Sequence, residues 1–263
     1  MIELIHPDWP APPAVRAAFT LRRGGVSRPP YHSLNVGAHT GDERVAVEEN
    51  RRRIREALRL PADPSWLMQE HGVSVVALDQ PPRADAPSRG DAPPRADAAI
   101  TREPGGVCAI QVADCLPVLF AARDGRAVGA AHAGWRGLAA GVLEATVAAL
   151  AGQPHGGTST DQLMAWLGPA IGPEHFEVGE DVRVAFLERD PAASHAFTRN
   201  ARGRWQCDLY ALARARLGAV GVRDVYGGGW STYGDPARFF SYRRDGQCGR
   251  MAALVWIERG RTR

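Results

Sequence analysis

Two histidines and one cysteine stand out, each in an unusual local sequence. His71 lies in Gln69-Glu70-His71-Gly72, Cys115 in Ala113-Asp114-Cys115-Leu116-Pro117, and His132 in His132-Ala133-Gly134-Trp135-Arg136-Gly137. Zinc takes imidazole and thiolate ligands, and a catalytic zinc keeps three protein ligands and one open position. Copper accepts the same donors. The same side chains also support a metal-free chemistry, with a cysteine thiolate as nucleophile and a histidine as its base. Glu70 and Asp114 are the neighbouring carboxylates that could orient a ligating imidazole.

Anion chemistry falls to arginine, to backbone N–H groups or to a metal. The chain contains no lysine, which excludes Schiff-base, pyridoxal-phosphate and P-loop lysine chemistry. Arg51, Arg52 and Arg53 lie in one predicted helix, and Arg243 and Arg244 follow Phe239-Phe240-Ser241-Tyr242. Phe240 and Tyr242 could stack on a base while arginine forks match phosphate oxygens. Arg243 and Arg244 are the expected phosphate holders.

The ligand candidates are far apart in sequence, so the fold must gather them. Residues 14–22 read as a strand, 45–60 as a helix with Val47, Ile54, Ala57 and Leu58 on one stripe, and 73–78 as a short strand. Successive apolar stretches at 98–101, 106–113, 117–122 and 127–132 read as strands of a buried sheet. Cys115 and His132 then fall at nearby strand ends and can converge on one sheet edge. Pro117 is expected to interrupt normal pairing beside Cys115. Residues 137–151 read as one alanine-rich helix, 179–189 as another, and 209–219 as a third with Asp208 as N-cap. Further strands fall at 163–167, 222–226 and 252–257. The Pro-, Asp- and Arg-rich stretch 80–97 reads as an exposed loop insertion without packing function. The pattern implies a mixed α/β, or α+β, architecture in a single domain over 1–263.

Bulk properties narrow the function. A net charge of +3 without a concentrated basic run argues against nucleic acid. No apolar stretch is long enough to span a bilayer, and residues 1–7 do not resemble a signal peptide, so a cytoplasmic protein without membrane contact is expected. The remaining cysteines, Cys108, Cys207 and Cys248, form no C-x-x-C. Cys108 reads as core, Cys207 as opening a helix and Cys248 as part of a turn. The eight histidines include no His-x-His pair, too few for an oxidase holding several copper ions. His6, His155 and His195 read as surface residues.

The words around these residues resemble the YfiH/YlmD family, also called laccase-domain or multicopper polyphenol oxidoreductase proteins. The matching segments are Ser33-Leu34-Asn35-Val36-Gly37, Gly41-Asp42, Glu49-Asn50-Arg51, Gln69-Glu70-His71-Gly72, Ala96-Asp97-Ala98 and Ala113-Asp114-Cys115. They continue with His132-Ala133-Gly134-Trp135-Arg136-Gly137, Gly168-Pro169-Ala170-Ile171-Gly172, Phe240-Ser241-Tyr242-Arg243-Arg244-Asp245 and Gly249-Arg250.

The resemblance implies a single-domain layered sandwich of mixed β-sheets flanked by helices, with zinc at His71, Cys115 and His132. It implies a purine-nucleoside enzyme, acting by phosphorolysis of adenosine, inosine, guanosine and methylthioadenosine and by deamination of adenosine. Its partners would be a purine nucleoside and phosphate, held by Asn35, Arg51, Arg136, Tyr242, Arg243 and Arg244; a monomer is expected. The alternative it carries is a Cys–His amide hydrolase that edits peptidoglycan precursors by removing serine from a UDP-muramyl amino acid; a copper polyphenol oxidase stands behind both. One departure is visible: relatives often have Cys-Thr where this chain has Ser231-Thr232, which leaves the three-ligand site intact.

Overall fold

The computed structural model describes residues 2–79, 93–152 and 158–258. In chain order, β1 (Leu4–Ile5) and β2 (Val15–Thr20) precede α1 (Arg44–Leu58), β3 (Val75–Ala77), β4 (Ala98–Thr101), β5 (Val107–Val112), β6 (Leu116–Ala122) and β7 (Val128–Ala133). Then come α2 (Trp135–Ala140), α3 (Val142–Ala151), β8 (Leu163–Leu167), β9 (Glu177–Val178), α4 (Glu180–Leu187), β10 (Phe197–Arg199) and β11 (Trp205–Cys207). The chain closes with α5 (Leu209–Ala219), β12 (Asp224–Gly227), α6 (Tyr242–Asp245) and β13 (Met251–Ile257).

Two sheets stack face to face. One has strand order β1-β2-β13-β5, and the other, mixed in direction, has order β12-β8-β6-β7-β4-β3. A small sheet β10-β11-β9 lies apart. The period-2 alternation of strand side chains sorts the core. On β6, Leu116, Val118, Phe120 and Ala122 pack beneath α2, α3 and α5, while Leu119 and Ala121 face the other sheet. On β13, Met251, Ala253 and Val255 meet that inter-sheet layer, and Ala252, Leu254 and Trp256 pack outward with Ile54 of α1. Both sheets are thus covered on both faces, which is why their strands read as continuous apolar runs. The result is a mixed α/β sandwich of helices, two sheets and a helix, with no barrel among the described residues.

Several local expectations need correction. Pro117 lies inside β6 and pairs in register opposite His132, so it does not interrupt the strand. The predicted helix over 137–151 is two helices, because Gly141 turns the backbone to φ 107° between α2 and α3. The buried face of α1 is Val47, Asn50 and Ile54; Ala57 is exposed. Asn50 is tolerated there because its amide donates to Ser27 Oγ, Ser33 O and Asn35 O and accepts from Val26 N, pinning the preceding loop. Cys207 ends β11 rather than opening a helix, whereas Asp208 does cap α5 through Tyr210 N and Ala211 N. Of the 80–97 stretch, residues 80–92 lie outside the described residues, as does His155. Its end packs into the fold: Arg95, though exposed, bridges Met68, and Asp97 is 1% exposed.

Candidate metal centre

Strand register builds the site. Antiparallel β6 and β7 pair Leu116 with Ala133, which sets Cys115 and His132 at the same end of the six-stranded sheet. β4 pairs with β7 so that Ala98 opposes Ala131, placing Asp97 beside His132. β3 runs parallel to β4, so the turn before β3, which carries His71, arrives at that end too. The ligand atoms of His71, Cys115 and His132 all lie within 4.8 Å of one another. Cys115 Sγ is 3.8 Å from His71 Nε2, and the two imidazoles meet edge to face with centroids 4.7 Å apart.

One carboxylate, absent from the sequence-derived ligand and orienting sets, organises the corner. Asp97 accepts from the backbone N–H of Glu70, His71 and Gly72 at 3.1, 2.9 and 2.7 Å. It also lies 2.8 Å from His132 Nδ1, and His132 N donates to Asp97 O. An Nδ1–H held by Asp97 leaves Nε2 as the lone-pair nitrogen for a ligand, the usual device for orienting a metal-binding imidazole. Burial opposes ionisation of Asp97, but His132 and the converging N–H groups outweigh it and hold its carboxyl below the ordinary range. The signal available in sequence was Ala96-Asp97-Ala98 directly ahead of a strand, masked by the polar loop before it.

Close packing depends on glycine. A Cβ at Gly134 would sit 2.9 Å from His71 Cδ2 and 3.0 Å from Cys115 Sγ; one at Gly137 would be 2.9 Å from Gly72 O. His71 itself adopts φ 61°, a left-handed conformation fixed by the Asp97 contacts on its turn. His132 is buried, Cys115 half-buried and His71 exposed, so the cluster opens to solvent on the His71 side.

Charge is coupled across the cluster. Burial disfavours the Cys115 thiolate, yet the charge and hydrogen bonds of His132, with those of His71, bring the thiol down to about 6. Burial likewise disfavours protonated His132, but Cys115 and Asp97 raise it to about 9. Cys108 and Cys207 are buried without such partners, and burial pushes both thiols up. Among the described residues this is the one group of three or more His, Cys, Asp or Glu side chains arranged to hold a metal ion.

The carboxylates expected to orient the histidines do other work. Glu70 pairs with Arg95 at the surface. Asp114, at φ 93°, accepts from Thr232 Oγ1 at 2.6 Å and Arg243 N at 2.7 Å, tying the 232–245 segment to the residue before Cys115.

The candidate substrate residues separate into two kinds. Asn35 is fully buried, and its amide meets Thr40 Oγ1, Asp42 Oδ2, Gly37 N and Arg250 N. Arg244 donates to the carbonyls of Thr232, Tyr233 and Phe239 and to Asp245. These two side chains hold loops. Arg51 gives Nε and Nη2 to Val36 O and stacks 4.3 Å over Trp66; burial lowers its guanidinium to about 10. Arg243 lies over Phe176 with Nη1 on Glu177 O. Tyr242 is 60% exposed, and Arg136 is exposed against Trp135. His6 and His195 are exposed as expected.

Comparison with known proteins places this geometry. Residues 16–258 match the family described as multi-copper polyphenol oxidoreductase laccase. A Pseudomonas aeruginosa protein named purine nucleoside phosphorylase is 55% identical over 257 residues, covering 97% of this chain and 98% of the relative. Purine nucleoside phosphorylase YfiH of Escherichia coli is 51% identical, covering 98% of this chain and all of the relative. A Neisseria meningitidis crystal structure of family DUF152 superposes with a TM-score of 0.88 at 44% identity, over 97% of this chain and 99% of that one. YlmD from Geobacillus stearothermophilus gives a TM-score of 0.86 at 33% identity, over 95% and 94%.

Proposed function

We propose a function from one firm premise: the chain belongs to the multi-copper polyphenol oxidoreductase laccase family, whose YfiH-type members are named purine nucleoside phosphorylases. It is a purine-nucleoside enzyme, and we infer that it is a zinc-dependent phosphorylase of adenosine, inosine, guanosine and methylthioadenosine, with adenosine deamination as a second activity. The observation that carries the reading is the His71–Cys115–His132 cluster, organised by Asp97, in a chain that matches such relatives end to end.

The donor set fits zinc. Bonds of ~2.3 Å to sulfur and ~2.0–2.1 Å to nitrogen put tetrahedral ligands about 3.5 Å apart, close to the 3.8 Å between Sγ and Nε2. A single three-ligand group among the described residues suits one metal better than several coppers. Bound there, zinc would supply Lewis-acid polarisation of a substrate or water oxygen.

The chain's own residues set the rest. Asp97 fixes the His132 ring, and Gly134 keeps the floor of the cluster open. In phosphorolysis a phosphate oxygen bonds to the sugar C1′, the C1′–N9 bond breaks, and the purine leaves with a proton. With no lysine in the chain, that phosphate falls to arginine, backbone N–H groups or the metal, and we assign it to arginine. No helix among the described residues is long and apolar enough to cross a membrane; a cytoplasmic monomer, one domain over 1–263, is the corresponding proposal.

The test is inosine with purified, zinc-loaded protein. Hypoxanthine and ribose 1-phosphate should form only with phosphate present and cease on chelation. Product formation without phosphate, or none from any purine nucleoside, contradicts the reading. A second reading, the Cys–His amide hydrolase with Cys115 as nucleophile and His132 as its base, is favoured by one observation: Asp97 holds His132 Nδ1 at 2.8 Å, and against burial His132 in turn lowers the half-buried Cys115 thiol. It requires rapid iodoacetamide labelling of Cys115 in zinc-loaded protein and cleavage of a UDP-muramyl-serine amide; ligation to zinc would protect the thiolate.

A further inference from the structure

Two half-buried arginines, Arg51 and Arg250, form no ion pair with a carboxylate of the described residues. Asn35-Val36-Gly37 is gripped from both sides. Val36 N donates to Arg250 O and Asn35 Oδ1 accepts from Arg250 N, while Val36 O takes Nε and Nη2 of Arg51. Gly37 packs so closely that a Cβ there would lie 2.8 Å from Arg250 Cγ. Arg51 and Arg250 therefore flank one loop, and that loop carries His39, next to Thr40, whose N–H returns to Gly37 O.

The donors left over point to a ligand. Arg250 uses Nη1 on Cys248 O and Gly249 O; its Nε and Nη2 meet no acceptor among the described residues. Those two groups form one edge of the guanidinium, the edge that grips two oxygens of a phosphate in parallel. Nη1 of Arg51 is likewise without an acceptor. Arg52 and Arg53 of the same helix pair with carboxylates, as do Arg216 and Arg244, whereas Arg22, Arg189, Arg214 and Arg243 hold backbone carbonyls. Arg51 has only a distant pull from Glu48.

The loop presents His39 exposed to solvent, two residues past Gly37. Partial desolvation first, then the charges of Arg250, Arg51 and His132, all lower its pKa, and no carboxylate offsets them. His132 is a member of the metal cluster. A second link runs through α6: the Arg250 guanidinium lies 5.7 Å from the Tyr242 ring, and the next residue, Arg243, gives its N–H to Asp114 beside Cys115. A guanidinium edge without a protein acceptor is free to receive an anion.

We propose that His39, Arg51 and Arg250 form a subsite for a phosphoryl dianion, which is the inorganic phosphate of the phosphorolysis proposed above and in that respect rests on that reading. Neither His39 nor Arg250 was singled out as a substrate residue by the sequence.

The experiment titrates inorganic phosphate into the full-length protein by calorimetry and records inosine phosphorolysis at varied phosphate on the same preparation. Arg250→Gln should weaken phosphate binding by roughly tenfold or more, as loss of a charge-assisted contact does. Arg250→Lys should recover part of it, and the inosine KM should stay within about twofold. Arg51→Gln and His39→Gln should weaken phosphate less, and they answer the same question should Arg250→Gln fail to fold. Arg126→Gln, at an exposed turn, should change nothing. Wild-type phosphate affinity in the Arg250, Arg51 and His39 variants overturns the subsite, whether or not phosphorolysis occurs. Phosphate binding lost in Arg250→Gln, in a protein that turns over no nucleoside, upholds the subsite and removes the phosphorylase reading. Adenosine 5′-monophosphate is the second arm. If it binds in an Arg250-dependent way while free phosphate does not bind, the co-substrate assignment is overturned in favour of a nucleotide's phosphoryl group.

Discussion

The corner around Asp97 and the loop around Asn35 are built from the same parts: a buried polar side chain that satisfies several backbone groups at once. Asp97 gathers three N–H groups and the His132 ring. Asn35 gathers Gly37, Thr40, Asp42 and Arg250. The difference is what remains. Around Asp97, two imidazole nitrogens and a thiolate are left facing one point; around Asn35, every amide position is occupied. What a buried polar residue leaves uncommitted sets the chemistry beside it: metal-ligating lone pairs around Asp97, and guanidinium N–H groups of Arg250 and Arg51 around the Asn35 loop.

The largest effect should come from Asp97→Ala. It leaves three N–H groups and an imidazole without their acceptor, and should cost about 3–5 kcal/mol in urea unfolding and abolish zinc binding. Asn35→Ala should cost comparable stability yet retain zinc; loss of zinc there would erase the distinction. Asp97 also sets a pH signature. Its folded pKa is depressed, so its contribution is present above the ordinary carboxylate range and is lost as pH falls through the lower folded value. Asp97→Asn should flatten that acid limb in pH-dependent melting.

Next in size, Arg244→Ala should destabilise by about 2–3 kcal/mol, since its guanidinium holds three carbonyls and Asp245. The phosphate KM should be unchanged by it; a selective rise in that KM would return Arg244 to the substrate. Smaller still is a rate effect in metal-free protein. Cys115 is depressed to about 6, so its iodoacetamide labelling should rise through pH about 6, not through ~8.5 as for an ordinary thiol. A profile centred on the ordinary value would mean that His132 does not act on the thiol. The smallest expected effect is Arg136→Gln, within about 0.5 kcal/mol in stability, because Arg136 is exposed on Trp135.

How much was legible in sequence follows the same division. The three ligand candidates and the apolar strands stood out because their signals are local: residue type, strand period and glycine spacing. Asp97 did not, because its role exists only once β4 lies between β3 and β7, and a polar loop precedes it. Arg244 and Asn35 looked like substrate residues because sequence records a side chain's donors without recording which carbonyls already hold them. Gly141 splitting one alanine-rich helix into two was hidden because a single glycine in a helical pattern is usually tolerated.

The most direct test of the central claim is metal content. Elemental analysis of protein purified without added metal should find about one zinc per chain in the wild type, and none in Cys115→Ala. Full zinc retention in Cys115→Ala, His71→Ala and His132→Ala, or several coppers per wild-type chain, would contradict the site.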